Sequence, residues 1–539
     1  MIDGHRVNDP LYDQAMMGQE FMLDVDLIDR VEYVPGAGSS IYGSNAFFGV
    51  INVITKRGRD ISGVQVSGEA GSAGMGRGRA TIGAQNENGV EWLLSATAYN
   101  RDGKDLTFPK FPEEVARGLD FEQAQSLFAK GSAGPFTVTF AHAERTKGAP
   151  GASYGQTFND TRSKMIDEMS FLDVAYSKSL SNTTDLSART YYSQYRFKGD
   201  YPTGSGYDRS SANWWGGEAK VVNTGIDHHK LVAGVEFQKN DKIEQLNYSL
   251  APYVEKLHLN NRNHRIGLYL QDEWTLHPDL LLSMGVRYDW NSALANKDAI
   301  NPRLGLIYKL TQQTTVKLLF GKVYRVPNSY ELYCDDGITQ KAPTSLRPEH
   351  IQTNELVLEH QWSSDNLLRL SDDHNKVKDL LAVVTDPGDG MLVYQNVGRA
   401  TARGAEAEWQ HAWNDGTRLR TSASWQRTTD DANGTVLANS PKYLGKLNLP
   451  IPFYHDLWRA GLEVLYVSPR TTLQSTNTGG YALTNLALFS AKLFKRTEVS
   501  ASIYNLFNRR YMDPVGPEFV QDAIAQDGRN FRVKLTYAF

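Results

Sequence analysis

The chain has 539 residues, with 57 Lys+Arg against 61 Asp+Glu for a formal net charge of −4, and with 46 glycines, 27 tyrosines and one cysteine. That balance offers no basic surface for nucleic acid, and Cys334 alone can form no internal disulfide and reads as an incidental loop thiol. A mean hydropathy of −0.46 and the absence of any run of about 18 apolar residues exclude a helical membrane protein, but not a β-barrel, in which only alternate residues face lipid.

The opening residues Met1-Ile2-Asp3-Gly4 show neither the basic nor the apolar region of a signal peptide, so the chain is expected to be a fragment or to start at an internal Met. The first organised stretch is Asp29–Lys56. Val31-Glu32-Tyr33-Val34 alternates as a strand, Gly36, Gly38, Gly43 and Gly49 concentrate backbone freedom, and Gly49-Val50-Ile51-Asn52-Val53-Ile54-Thr55 is a second β run. This is too turn-rich for a core helix and too apolar for a linker, so it predicts a compact strand–loop–strand piece that is enclosed by something else.

From Ile61 onward the pattern has period two. Trp92, Leu94, Ala96 and Ala98 alternate with Glu91, Leu93, Ser95 and Thr97, where Leu93 is the exception. Ile266, Leu268 and Leu270 alternate with Arg265, Gly267, Tyr269 and Gln271. Leu282, Met284, Val286, Tyr288 and Trp290 alternate with Ser283, Gly285, Arg287 and Asp289, and Phe531, Val533, Leu535, Tyr537 and Phe539 close the chain in the same way. A soluble sandwich and a membrane barrel share this alternation. Aromatics at strand ends and connections that alternate short and long favour the barrel. Short turns fall near 86–89, 131–135, 181–185, 224–229, 277–279, 311–314, 363–366, 414–416, 452–456 and 494–497. Long connections fall at 102–120, 146–169, 198–213, 239–261, 327–350 and 507–527, for about 22 strands. On this reading Val286 meets lipid and Arg287 the lumen, so alanine at Arg287 should cost much less than arginine at Val286. Leu370-Ser371-Asp372-Asp373-His374-Asn375 fits poorly, since adjacent acids are costly on a lipid face; the strand is irregular there or these residues face the lumen.

Catalytic patterns are missing: the sequence has no Gly-x-Ser-x-Gly, no His-Glu-x-x-His and no P-loop. The glycine-rich 71–78 joins two strands and reads as a surface turn. Asp372, Asp373 and His374 make poor joint ligands because adjacent strand residues point to opposite faces, so no metal site or cofactor is expected. His228-His229 and the loop acids Asp298, Asp335, Asp336, Asp386 and Asp389 read as solvated. A binding concavity is the better prospect. Its candidates are Asn8, Tyr12, Met16, Met17 and Gln19 near the N-terminus, Ser44 and Asn45, and the loop aromatics Tyr154, Tyr201, Tyr207, Trp214, Trp215, Tyr253, Tyr330 and Tyr333.

Tyr42-Gly43-Ser44-Asn45-Ala46 followed by Gly49–Thr55 resembles the motif that closes the plug domain of TonB-dependent outer-membrane receptors, and Asp3-Gly4 with Val7-Asn8-Asp9 resembles an earlier plug strand. Further motifs follow in family order. They are Asn301–Leu306, Phe320–Pro327 with Tyr330–Tyr333, Leu346-Arg347-Pro348-Glu349, Asn354-Glu355-Leu356, Gln395–Gly398, Arg403–Glu406 and Tyr504–Tyr511. The resemblance implies an all-β fold: a 22-stranded antiparallel transmembrane β-barrel (59–539) around the C-terminal part of a plug (1–58). It implies a monomer in the outer membrane and TonB-dependent uptake of an iron complex, foremost a ferric siderophore. Vitamin B12, haem or a passive plug-truncated pore are the alternatives. It also implies the TonB–ExbB–ExbD complex as partner, although the segment that contacts TonB is not in this sequence. One departure matters. The family motif reads Arg-Gly-Pro-Gly where this chain has Pro35-Gly36-Ala37-Gly38, which puts in doubt the latch between plug and barrel attributed to that arginine.

Overall fold

The protein, seen in a computed structural model, is described over all residues except 36–40, 45, 205, 296, 338 and 455–456, and except the side chains of Ala491 and Lys492. Twenty-two antiparallel strands form one closed barrel. The first, Gly63–Gly71, pairs with the last, Asn530–Ala538, from Gln65 opposite Ala538 to Gly71 opposite Arg532. Closure leaves no strand edge to lipid, where an unpaired backbone group costs several kcal/mol. No helix is long and apolar enough to cross a membrane.

The alternation sorts the two faces as the sequence predicts. Leu268, Leu270, Val286 and Leu304 are exposed on the outer surface, while Arg287, Asp289, Gln271 and Tyr269 are buried toward the lumen. Val286 sits mid-strand opposite Leu270 and Pro302. Val286→Arg should therefore destabilise the barrel by about 2–4 kcal/mol, measured by reversible urea unfolding in lipid vesicles; a loss below about 0.5 kcal/mol would reject the facing. Leu93, which breaks the pattern, is 2% exposed and packs on the enclosed N-terminal segment.

Two expectations need correcting. The connections at 198–213 and 239–261 are not long loops. Strands Thr184–Tyr201 and Gly206–Asn223, and then His229–Leu250 and Tyr253–His277, run on as tall hairpins that keep their ladders almost to the tip. The longer excursions are 102–121, 149–163, 326–348 and 505–529. The first and last carry small ribbons, and the third carries a helix at Ser329–Tyr333 capped by Asn328, whose side chain accepts from the Glu331 N–H. The second correction concerns Asp372 and Asp373. Strand Asn366–Thr385 is regular there, and the two acids split between the faces. Asp373 is hydrogen-bonded by Asn375 inside at 2.6 Å, and Asp372 lies outside between Leu356 and Ala405.

Inside the barrel, strands Ile28–Pro35 and Gly49–Thr55 pair antiparallel. Gly49 is required there: its φ is +151°, and a Cβ would stand 2.7 Å from the Tyr33 ring. Ile2, Val7, Met22, Leu27 and Val53 pack against Phe128, Met169, Phe171 and Trp214 of the wall. Phe47 packs on the opposite side, against Val323, Ile351, Val377 and Ala400. Ion pairs fix the rest. Asp26 takes Arg79 at 3.0 Å and Lys534, Glu20 takes Arg145, and Asp3 takes Lys130 at 2.9 Å.

Candidate functional site

The segment 8–19 rises toward the long-loop rim. Asp9 folds it: its carboxylate accepts from the N–H groups of Leu11 (2.9 Å), Tyr12 (2.8 Å) and Gln14 (3.1 Å). Burial pushes the Asp9 carboxyl up to about 7, against these donors, which favour the charged form. Leu11 is fully buried with Ile243 and Leu259 of a tall hairpin, and the Asn328 amide donates to the Tyr12 carbonyl at 3.1 Å. The loop tip is thus tied both to a hairpin and to the loop that carries helix Ser329–Tyr333.

Around that tip the phenols converge. The rings of Tyr12 and Tyr330 are 5.9 Å apart, and those of Tyr330 and Tyr394 6.2 Å. The Tyr12 hydroxyl lies 3.5 Å from Ser210 Oγ, and Ser210 donates to Asp208 at 3.0 Å. Tyr154, raised on a left-handed backbone with φ +53°, is close enough for its phenol to interact with those of Tyr330 and Tyr394. Burial holds the Tyr330 phenol well above its ordinary value, so it is a neutral donor, and burial pushes the Cys334 thiol up to about 11, too high for a reactive thiolate. The cations that border this vestibule are matched. Arg325 pairs with Glu331 and Glu349, Lys341 with Asp386 and Asp389, and Arg6 with Asp13. The surface left for a ligand is phenolic and weakly acidic.

Below the vestibule the wall grips the enclosed segment through arginines of its own. Arg287 donates to Glu236 at 2.7 Å, to Asp289 at 2.8 Å and to the Ile41 carbonyl at 3.3 Å. Arg265 donates to Gln238 at 2.7 Å and to Ser44 Oγ at 3.4 Å. Gly43 and Gly267 provide the space that the Arg287 guanidinium fills, since a Cβ on either would stand 2.8 or 2.1 Å from its Nη2. The contact expected from a plug arginine is made in the reverse sense, by barrel arginines on plug oxygens. Pro35, which stands where the motif has its arginine, ends strand Ile28–Pro35 opposite Gly49, and residues 36–38 lie outside the described residues.

Residues 97–506 match the family model "TonB dependent receptor-like, beta-barrel", and residues 1–50 match "TonB-dependent Receptor Plug Domain". The chain belongs to the TonB-dependent receptor family. Such receptors are outer-membrane proteins, so the short-turn rim is periplasmic and the long-loop rim extracellular. The family consists of receptors and transporters and implies energy coupling through TonB. A relative named "Vitamin B12 transporter BtuB" from Vibrio cholerae serotype O1 is 24% identical over 507 residues, 90% of this chain and 76% of that protein. Among solved structures, the ferric enterobactin receptor PfeA of Pseudomonas aeruginosa with enterobactin superposes with a TM-score of 0.80 at 17% identity, covering 100% of this chain and 91% of that one. The FrpB iron transporter of Neisseria meningitidis gives 0.79 at 16%, again covering 100% and 91%. At such identities the structural likeness speaks for the fold alone.

Of the residues expected to bind ligand, Tyr12, Tyr154, Tyr330 and Tyr333 come together at the receptor's extracellular vestibule. Tyr201 also lies near it, buried on a tall hairpin rather than raised on a loop. Others have different occupations. Trp214 is 1% exposed in the plug–wall core, and Met16 is buried in the same cluster. Met17 projects into solvent at 79% exposure. Asn8 braces its own loop through the Asp13 carbonyl, Gln19 accepts from Arg77, and Ser44 belongs to the latch. Asn45 lies outside the described residues. Tyr394 and Asp208 were not among the expected residues. Tyr394 is brought there by its strand, which pairs it with Val383 across the 386–391 turn, and Asp208 stands in a stretch that reads as loop.

Proposed function

We propose that this receptor takes up a ferric siderophore of low charge, a ferric hydroxamate being the class in view, through TonB-linked opening of the plug. The observation that carries this reading is the vestibule lined by Tyr12, Tyr154, Tyr330, Tyr333 and Tyr394 beside Asp208. Phenols donate hydrogen bonds to the carbonyl oxygens of such a ligand and pack on its apolar faces. The same surface suits a trianionic catecholate complex poorly, because the neighbouring cations already hold acids. Haem is disfavoured because residues 327–346 contain no histidine to bind its iron. A passive pore is disfavoured by the packing and ion pairs that seat residues 1–58 as a plug within 59–539. The receptor works as a monomer in this reading and receives its energy from the TonB–ExbB–ExbD complex. Cobalamin is the second reading, supported by the relatives named vitamin B12 transporters.

The test is a fluorescence-quenching titration of refolded protein with ferric hydroxamates, ferric catecholates, haem and cobalamin. Saturable binding of a hydroxamate, weakened at least tenfold by Tyr330→Ala, is expected. Binding of cobalamin alone would install the second reading, and binding of haem or a catecholate alone would overturn both.

A further inference from the structure

Strands Thr314–Arg325, Glu349–Ser363, Asn366–Thr385, Leu392–Ala412 and Arg418–Asp430 stand side by side in the wall. Residues directly opposite on antiparallel neighbours point to the same face. Lys322 faces Gln352, which faces Lys376. One row lower, His374 faces Arg403 and Arg403 faces Arg427. One row higher, Lys378 faces Arg399. The lumen-side neighbours Val323, Ile351, Val377 and Ala400 are buried, whereas all six cations are exposed, so this face is the outer one.

The cations Lys322, Lys376, Lys378, Arg399, Arg403 and Arg427 make no ion pair among the described residues; the acids nearest these rows are Asp372, one row below, and Asp431, whose carboxylate accepts from the Thr401 hydroxyl at 3.1 Å. Elsewhere on the outer face Arg196, Arg209 and Lys242 each hold an acid, Glu168, Asp200 and Glu244. Two arginines directly opposite one another repel. A wall that could have placed an acid at either position instead stacks positive charge on positive charge.

Height completes the argument. Immediately beneath the patch lie Leu318, Leu356 and Trp425, the top of the apolar belt. Arg403 is nine residues along its strand from the short-turn end at Ala412, about 20 Å above the periplasmic rim for a strand rising ~3.3 Å per residue at ~45° tilt. The patch therefore stands where hydrocarbon gives way to the headgroups of the outer leaflet. Guanidinium groups bind phosphate through paired N–H donors, and clusters of four to eight Lys/Arg at a membrane surface read as anionic-headgroup sites.

We propose that this outer-facing patch is a binding site for a phosphorylated lipid of the outer leaflet, its phosphates held by Arg403, Arg427 and Lys376 and its acyl chains lying on Leu318, Leu356 and Trp425. Lipid A is the phosphate-bearing glycolipid of that leaflet and is the occupant assigned.

The test uses the refolded full chain in detergent micelles with native mass spectrometry as readout. The probes are bis-phosphorylated lipid A, the same lipid with both phosphates removed, phosphatidylglycerol, and inorganic phosphate as competitor. The bis-phosphorylated lipid should be retained at least tenfold more tightly than the dephosphorylated lipid or phosphatidylglycerol. The triple variant K376Q/R403Q/R427Q should lose at least tenfold in that affinity, while R196Q/R209Q/K242Q should retain it. Heat-modifiable gel mobility establishes that each variant is folded. Equal retention of the dephosphorylated lipid would overturn the site. So would phosphatidylglycerol binding as tightly, displacement by millimolar inorganic phosphate, or an unaffected triple variant.

Discussion

Arg287→Ala should be among the most damaging single changes in the barrel wall, costing about 3–5 kcal/mol, the usual result of removing one partner from a buried ion pair. The alternation of the sequence alone points the other way, since a lumen-facing arginine beside lipid-facing Val286 looks dispensable. The difference lies in what surrounds it. The Arg287 side chain is 5% exposed, it satisfies Asp289 at 7% and Glu236 at 20%, and it reaches the plug at the Ile41 carbonyl. Removing the guanidinium leaves two carboxylates without their main counter-charge and releases the plug turn. Urea unfolding in vesicles should show the loss, and residues 41–44 should become open to added protease. Arg287→Ala with Glu236→Gln should recover part of the stability, because one of the orphaned charges is then gone. A cost below about 1 kcal/mol, with no recovery in the double variant, would show that the network is ornamental.

That reversal marks what a sequence can and cannot disclose in a barrel. A strand that touches lipid on one side must be apolar at every second position, so Leu268–Leu270, Leu282–Trp290 and Phe531–Tyr537 are legible one by one, and the number of strands with them. Above the lipid both faces of a strand are wet. The alternation then fades although the ladder continues, which is why the hairpin tips at 198–213 and 239–261 read as loops. Trp214 was misjudged for the same reason. It stands on a strand, in the core beneath the plug loop, with 1% of its surface exposed.

The candidate vestibule was legible only in its ingredients. Tyrosines in the outer half are visible in the sequence, but which of them meet depends on pairings between residues far apart, such as Tyr12 with Tyr330. The latch was hidden for a further reason. Its partners Glu236, Arg265 and Arg287 sit on three successive strands, the two arginines reach Ser44 and Ile41 while Glu236 holds Arg287, and no local pattern links them. The glycines were the one available signal. Gly43 and Gly267 fall where side chains would collide with Arg287, yet in sequence each passes for an ordinary turn or strand glycine.

Removal of Tyr537–Phe539 should lower the amount of folded, membrane-inserted receptor at least tenfold. The last strand closes the barrel, and these residues are its periplasmic end. Tyr537 lies between Thr497 on one neighbour and Val66 on the other. The Ala538 N–H donates to the Arg496 carbonyl at 2.8 Å, and the Phe539 N–H donates to the Val64 carbonyl at 2.8 Å. Without them the start of strand Gly63–Gly71 and the turn at 496–497 lose their partners at the edge of the hydrocarbon, where each unsatisfied group costs several kcal/mol. The rings of Tyr537 and Phe539, 4.9 Å apart and nearly perpendicular, face outward and add an aromatic anchor at the interface. Backbone closure and anchoring are separable. Tyr537→Leu with Phe539→Leu keeps every backbone pairing and should retain most of the inserted protein, whereas the truncation should not. Heat-modifiable mobility on gels after expression or refolding into vesicles reads both variants. Normal yield from the truncated chain would mean that the barrel closes without this end of its last strand.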